Sequence, residues 1–197
     1  MQIDGLYTIG LDSNVISDLK KRNKNQHQRD RDILYVGRIV KAKRLDKALE
    51  AVCHMPPTHY QKFNIWGYGT EESKLRNKYK DNSQIIFNGA MNHFDVSKAY
   101  QMNKVFISLN PAEPFGITYE EAIANGLYVV APNTGGGVEF LKQFPNRCSL
   151  VDVNDIQSII NGLEEGLHSN LNPLTDKELD SLSYSNTAKQ IFKVIGK

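Results

Sequence analysis

The chain has 197 residues, 40% hydrophobic and 23% charged, which is the mix of one folded domain rather than a disordered tail. A formal net charge of +2 is too balanced to argue for nucleic acid, and no apolar run approaches the ~20 residues of a membrane span. Two cysteines in separate segments, Cys53 and Cys148, argue against a disulfide framework or zinc site and for a reducing compartment, and the opening MQIDGLYTIGLDSN has no secretory-leader pattern.

In chain order, LYTIGLD (6–12) predicts a short strand. Residues 17–32 are nearly all polar; they lack interleaved aromatics and end in alternating charges, which favours a solvated linker or exposed helix over a nucleic-acid arm. Six short apolar runs follow: ILYV (33–36), FNIW (63–66), IIF (85–87), VFISL (105–109), YVVA (128–131) and CSLV (148–151). Between them lie helical patterns. LDKALEAVCH (45–54) puts Leu45, Ala48, Leu49 and Val52 on one face. TEESKLRNKY is expected to open with Thr70 as N-cap. HFDVSKAYQM, ITYEEAIAN, VEFLKQF and DIQSIINGLEEGL continue the alternation, and SYSNTAKQIFKVIGK closes it with an amphipathic helix whose Ala188, Ile191, Phe192 and Ile195 are spaced to dock on something. Strand and helix alternate six times. That predicts an α/β fold: a single Rossmann-like, doubly wound parallel sheet of about six strands, with helices on both faces.

In the common strand order 3-2-1-4-5-6, strands 1 and 4 are neighbours at the switch point, where ligands bind beyond the carboxyl ends. The loop after strand 1 is GRIVKAKR and the loop after strand 4 is NPAEPFG. Topology therefore sets Arg38 and Lys43 opposite Glu113, Gly116 and a helix starting near Ile117. Two cations and the free N–H groups of Ile117 and Thr118 suit a diphosphate; the carboxylates of Glu113 and Glu121 suit sugar hydroxyls. Taken singly, each residue has a plainer reading. Glu121 could close a capping box on Thr118, Glu113 could be surface loop, and Arg38 and Lys43 could be solvated.

The pair of elements, GR-(four residues)-K and EPFGITYEEAIANGLYVVA, closely resembles the C-terminal half of the group 1 (family 4) retaining glycosyltransferases, which have the GT-B fold. IWGYGTEESKL, IIFNGAM, TGGGVEFL and the tail SYSNTAKQIFKVI match as well, so the resemblance spans roughly residues 6 to 195. It implies catalytic roles for Arg38 and Lys43, at the donor diphosphate, and for Glu113, beside the donor sugar. It implies that Phe115, Gly116, Ile117 and Thr118 hold sugar or phosphate, that Glu121 binds the ribose, and that Ala90 and Met91 line the base site. It also implies a nucleoside-diphosphate sugar of UDP or GDP type, a hexose-type sugar, a glycan or lipid-linked acceptor, surface-polysaccharide synthesis, a cytoplasmic setting peripheral to the membrane, no metal and no nucleic acid. The sequence departs from the family at Arg44, where a glycine usually follows the lysine, and at Tyr128 and Val138, where prolines are common.

The resemblance further implies that residues 1–32 are a hinge from an N-terminal acceptor domain, 33–183 the donor-binding domain and 184–197 a crossover helix. A chain of this length would then hold only the donor half, binding nucleotide weakly and transferring little. The alternative reading is a non-catalytic nucleotide-sugar-binding module or partner subunit. A sugar-nucleotide epimerase is disfavoured by the paired motifs, and a NAD oxidoreductase by the lack of a glycine fingerprint after strand 1. GYGTEE (67–72) reads as a turn, His54 and His59 as surface, His93 as a helix-start residue, Trp66 as core, and TGGGVE as a loop that touches the donor.

Overall fold

The computed structural model describes residues 10–23, 30–90 and 93–195. Six strands form one sheet: β1 (Ile33–Val36), β2 (Phe63–Trp66), β3 (Ile85–Gly89), β4 (Val105–Ile107), β5 (Tyr128–Pro132) and β6 (Cys148–Val151). Their order is β3-β2-β1-β4-β5-β6, and every pairing is parallel. Three strands match the apolar runs residue for residue; the others differ by one or two at their ends.

Alternation along the strands builds two cores. Ile33, Tyr35, Phe63, Ile65, Val105, Ile107, Tyr128 and Val130 point to one face. There they meet Leu45, Ala48, Leu49 and Val52 of α2 (Leu45–His54), Leu75 of α3 (Glu72–Lys78), and Ile159, Leu163 and Leu167 of α7 (Ile156–His168). Leu34, Phe106, Val129 and Ala131 point to the other face. They meet α1 (Ser13–Asn23), α4 (His93–Met102), α5 (Ile117–Ala124), α6 (Val138–Leu141) and α8 (Asp176–Ser181). Because both faces are covered, strand residues of either parity are apolar, which is why the runs in the sequence show no strict alternation. α9 (Tyr184–Ile195) closes the described chain and leaves Ala188 and Phe192 exposed.

The polar run 17–32 folds in part. Within α1, Ile16 and Leu19 are buried in the second core and Lys20 pairs with Asp180 of α8 at 2.7 Å; residues 24–29 lie outside the described residues. Of the strand expected at 6–12, residues 6–9 lie outside the described residues, and Leu11 makes a parallel bridge to Ser183. α8 was not expected. It is opened by a capping box in which Thr175 and Glu178 bond each other's backbone N–H.

Thr70 is not an N-cap: α3 starts at Glu72. The segment before it is tied to the β1 loop. Ile39 donates to the Tyr68 carbonyl at 2.8 Å, and Glu71 donates to the Ile39 carbonyl at 3.0 Å. A Cβ on Gly67 would sit 1.8 Å from the Gly37 oxygen, and one on Gly69 2.3 Å from the Ile39 oxygen. The two glycines of GYGTEE therefore serve backbone-to-backbone contact, and the turn reading holds. Trp66 is partly buried against the second core, in line with its expected place. His59 sits on the surface with its Nδ1 2.6 Å from Glu164.

Phe106 is fully buried at the centre of the sheet, between the rings of Tyr100 (5.8 Å) and Tyr119 (6.3 Å). Phe106→Ala is expected to cost about 3–5 kcal/mol. Calorimetry should show Tm falling by roughly 6–20 °C; a fall below about 3 °C would mean that this core collapses around the void.

Candidate functional site at the sheet switch point

β1 hands the chain to α2 on one face, and its neighbour β4 hands it to α5 on the other. The loops 37–44 and 108–116 therefore part company and leave a crevice above the carboxyl ends of the two strands.

The first loop is held from below. The Tyr35 hydroxyl donates to the Arg38 carbonyl at 2.7 Å, and the Gly37 N–H to the Trp66 carbonyl at 3.0 Å. A 3-10 turn, Lys41–Lys43, ends at Arg44 with φ 52° and ψ 33°. Among the described residues Arg44 is the one non-glycine residue with positive φ. The position where the resemblance led us to expect glycine is thus a left-handed one, which costs a side-chain-bearing residue roughly 1–2 kcal/mol. The Arg44 guanidinium turns away and donates to Asn154 at 3.3 Å. Arg38 is exposed, and no ion pair among the described residues holds it.

Lys43 reaches across the crevice. Its Nζ lies 2.7 Å from Glu113 Oε2, with the two side chains only 22% and 16% exposed. The same oxygen accepts the Asn110 amide at 3.0 Å, and Asn110 Oδ1 accepts the Ala112 N–H at 3.2 Å. Burial pushes the Glu113 carboxyl up, but hydrogen bonds from Lys43 and Asn110, the Lys43 charge and the Gly116 N–H together bring it below the ordinary glutamate range. Buried Tyr35 and Tyr119 both sense the Glu113 charge; burial, and then that charge, holds the Tyr119 hydroxyl well above its usual value.

The loop then turns into α5 through Gly116, at φ +73°. A Cβ there would lie 2.5 Å from the Tyr119 ring. The 135–137 glycines lie against this turn, and the Gly136 N–H donates to the Glu113 carbonyl at 2.7 Å. The TGGG segment thus shapes the Glu113 loop.

Within α5, the N–H groups of Tyr119 and Glu120 return to the Gly116 carbonyl. Among the described residues no hydrogen bond engages those of Ile117 and Thr118, and the helix has no side-chain cap. A capping box through Thr118 and Glu121 is therefore not formed. Glu121 instead accepts the Tyr100 hydroxyl at 2.9 Å, and Tyr100 is fully buried. Burial, then Glu121, drives that phenol far above its usual value. Ile117 and Glu121 form part of the wall of a groove of about 720 Å³ that Val96, Tyr100, Asn14 and Tyr184 also line.

Of the residues named from sequence, the structure joins Lys43 directly to Glu113 and sets Gly116, Ile117 and Thr118 at the adjoining helix start. Phe115 is 55% exposed on the same rim. Glu121 lies one turn deeper along α5. Ala90 is exposed just after β3, two strand spacings or about 10 Å from β1. Met91 lies outside the described residues, as does the His93 side chain. Sequence reasoning missed Asn110 and Tyr100. Asn110 was legible as a turn-former three residues before Glu113; nothing in the sequence marks Tyr100, which reads as an ordinary α4 core residue.

Comparison with known proteins shows the family and the fold. The family model described as glycosyl transferases group 1 matches residues 17–186. A 94-residue stretch is 37% identical to the sucrose-phosphate synthase of Zea mays, covering 46% of this chain and 9% of that protein. A 127-residue stretch is 30% identical to the GtfA subunit of a UDP-N-acetylglucosamine–peptide N-acetylglucosaminyltransferase of Streptococcus agalactiae, covering 64% and 24%. Among solved structures, the C-terminal domain of a group 1 glycosyl transferase family protein from Francisella tularensis shares the fold, with TM-score 0.65 at 21% identity, over 93% of this chain and 97% of that one. The sucrose-phosphate synthase of Thermosynechococcus elongatus does so with TM-score 0.67 at 19% identity, over 94% of this chain and 50% of that one. The chain spans between 9% and 30% of the length of the curated relatives it matches first.

The depressed Glu113 carboxyl has a consequence for acid stability. The unfolded chain holds that proton at higher pH than the folded one does. The stabilisation is therefore complete above the unfolded value and is lost as pH falls through the folded value. Lys43→Ala should melt below the parent at pH 7, and the gap should narrow as pH falls from about 5 toward 3. A gap that stays constant across that range would remove the pair from the acid response.

Proposed function

This chain belongs to the group 1 glycosyl transferases, and from that membership we propose that it is the donor-binding part of a retaining glycosyltransferase. In this reading the enzyme transfers a hexose-type sugar from a UDP- or GDP-linked donor to a glycan or lipid-linked acceptor in surface-polysaccharide synthesis. One observation carries the proposal: Lys43 and Glu113 meet across the switch-point crevice, beside a helix start whose N–H groups at Ile117 and Thr118 have no hydrogen-bond partner among the described residues. A cation and an open helix N-terminus suit a diphosphate, and an ionised carboxylate next to them suits sugar hydroxyls.

Arg38 and Lys43 take the diphosphate together with the start of α5. As the bond between the sugar and the diphosphate breaks, negative charge grows on the departing nucleotide, and the fixed cations and backbone dipoles stabilise it without rearranging. Glu113, fixed by Asn110, orients the sugar while positive charge develops at its reacting carbon. Glu121, braced by Tyr100, takes the ribose hydroxyls, and Phe115, Ala90 and Met91 border the sugar and base. We assign no covalent nucleophile, and the proposed chemistry requires no metal. The acceptor belongs to the rest of the enzyme. No helix among the described residues is long and apolar enough to cross a membrane. The proposed setting is the cytoplasm, peripheral to the membrane.

Thermal shift with UDP, GDP, ADP and their sugar conjugates tests this reading. At about ten times Kd a ligand adds roughly 1.4 kcal/mol, or about 3–6 °C in Tm for a domain of this size. One nucleotide is expected to give that shift, and Arg38→Ala with Lys43→Ala to remove it. Glu121→Ala should erase any preference for the ribonucleotide over its 2′-deoxy form, and Tyr100→Phe should weaken that preference. A shift that survives the double Arg38/Lys43 variant would refute the diphosphate site.

A further inference from the structure

We propose that Glu113 makes the site discriminate against the bare nucleoside diphosphate left after transfer, by holding a negative charge against the Lys43 cation that both the donor and the product must share. The inference rests on the reading above, in which Lys43 meets the diphosphate and Glu113 the sugar.

The geometry supplies the argument. Glu113 takes Lys43 at 2.7 Å and Asn110 at 3.0 Å on one oxygen. Asn110 is buried, and its own oxygen is engaged by the Ala112 N–H, so the amide is held in place to fix the carboxylate. Gly136 ties the Glu113 carbonyl from behind. The carboxylate is a fixed charge on a braced loop, and the bonds it accepts keep it ionised.

A cation already paired at 2.7 Å presents little net charge to an incoming anion. The two diphosphates differ in what they bring. In a nucleotide sugar the terminal phosphate oxygen is esterified. In the released nucleoside diphosphate that oxygen is free and carries about one further negative charge above pH ~7. The added charge lies where the sugar was attached, on the side that Glu113 occupies in this reading. Like charges within about 10 Å of each other in a half-buried site repel strongly enough to change affinity about tenfold. The donor, with its sugar hydroxyls, gains hydrogen bonds from the same carboxylate that repels the product. One side chain would thus favour loading and hasten release.

A plainer role is a staple between two loops. The two roles make different demands on Glu113→Gln, which keeps the shape and removes the charge. Titration calorimetry at pH 8, with UDP and UDP-glucose and with GDP and GDP-mannose, should show Glu113→Gln binding the bare diphosphate about tenfold tighter than the parent does. The sugar conjugate should be unchanged or weaker, so the preference for the conjugate falls. Glu113→Ala, which also removes the charge, must move the bare diphosphate in the same direction. If both variants bind the bare diphosphate equally or more weakly while Lys43→Ala abolishes binding, the diphosphate site stands and Glu113 is only a staple. If Lys43→Ala changes neither ligand, or the parent binds none at millimolar concentration, the diphosphate reading fails and this inference with it.

Discussion

The reversal of strand order between β1 and β4 governs the rest of this molecule. With β1 at the centre, the chain must build outward in one direction through β2 and β3 and then return to build outward in the other. Right-handed crossovers then place α2 and α5 on opposite faces. Neighbouring strands whose helices go opposite ways cannot have their loops packed together at the top. The crevice follows from topology, and the side chains only decide what it binds. Here they set a lysine from one loop against a glutamate from the other, with the open end of α5 alongside.

That arrangement is electrostatically economical. A lone half-buried carboxylate would tend to take up a proton; Glu113 stays ionised because three separate groups donate to it or attract it. A lone lysine would wander; Lys43 is aimed by its partner. Tyr100 does for Glu121 what Asn110 does for Glu113: in each case a buried neutral donor orients an acid from the protein side. Such support from behind is what keeps polar groups at a ligand's edge from relaxing into one another.

Most of the fold could be read from the chain, because in a doubly covered parallel sheet strand residues of either parity are mostly apolar. FNIW, ILYV and CSLV needed no correction. The errors fell where tertiary contacts decide. Thr70 has the chemistry of a cap, but the turn that holds it is bonded to the β1 loop, and α3 begins two residues on. Thr118 and Glu121 have the spacing of a capping box, yet the helix takes Gly116 as its N-cap, two residues before the position that box requires. The box that does form, Thr175 with Glu178, has the same T-x-x-E spacing and opens α8. The switch-point residues were legible because strand order can be guessed and loop chemistry follows from it. Tyr100 was not, since a buried tyrosine on a helix looks like core until its hydroxyl is seen on Glu121.

The rim of the sheet is cross-linked in pairs. The β1 and β2 loops share backbone hydrogen bonds through glycines that tolerate no Cβ, and the β4 and β5 loops do the same around Gly116, Gly136 and Gly137. Each pair behaves as one casting, and Lys43 to Glu113 spans the gap between the two castings. Anyone re-targeting a scaffold of this kind by loop grafting inherits that constraint. A transplanted GR-to-K segment brings with it the G-x-G turn it was moulded against, and a transplanted EPFG segment its triple glycine. The interchangeable unit of this rim is the pair of loops.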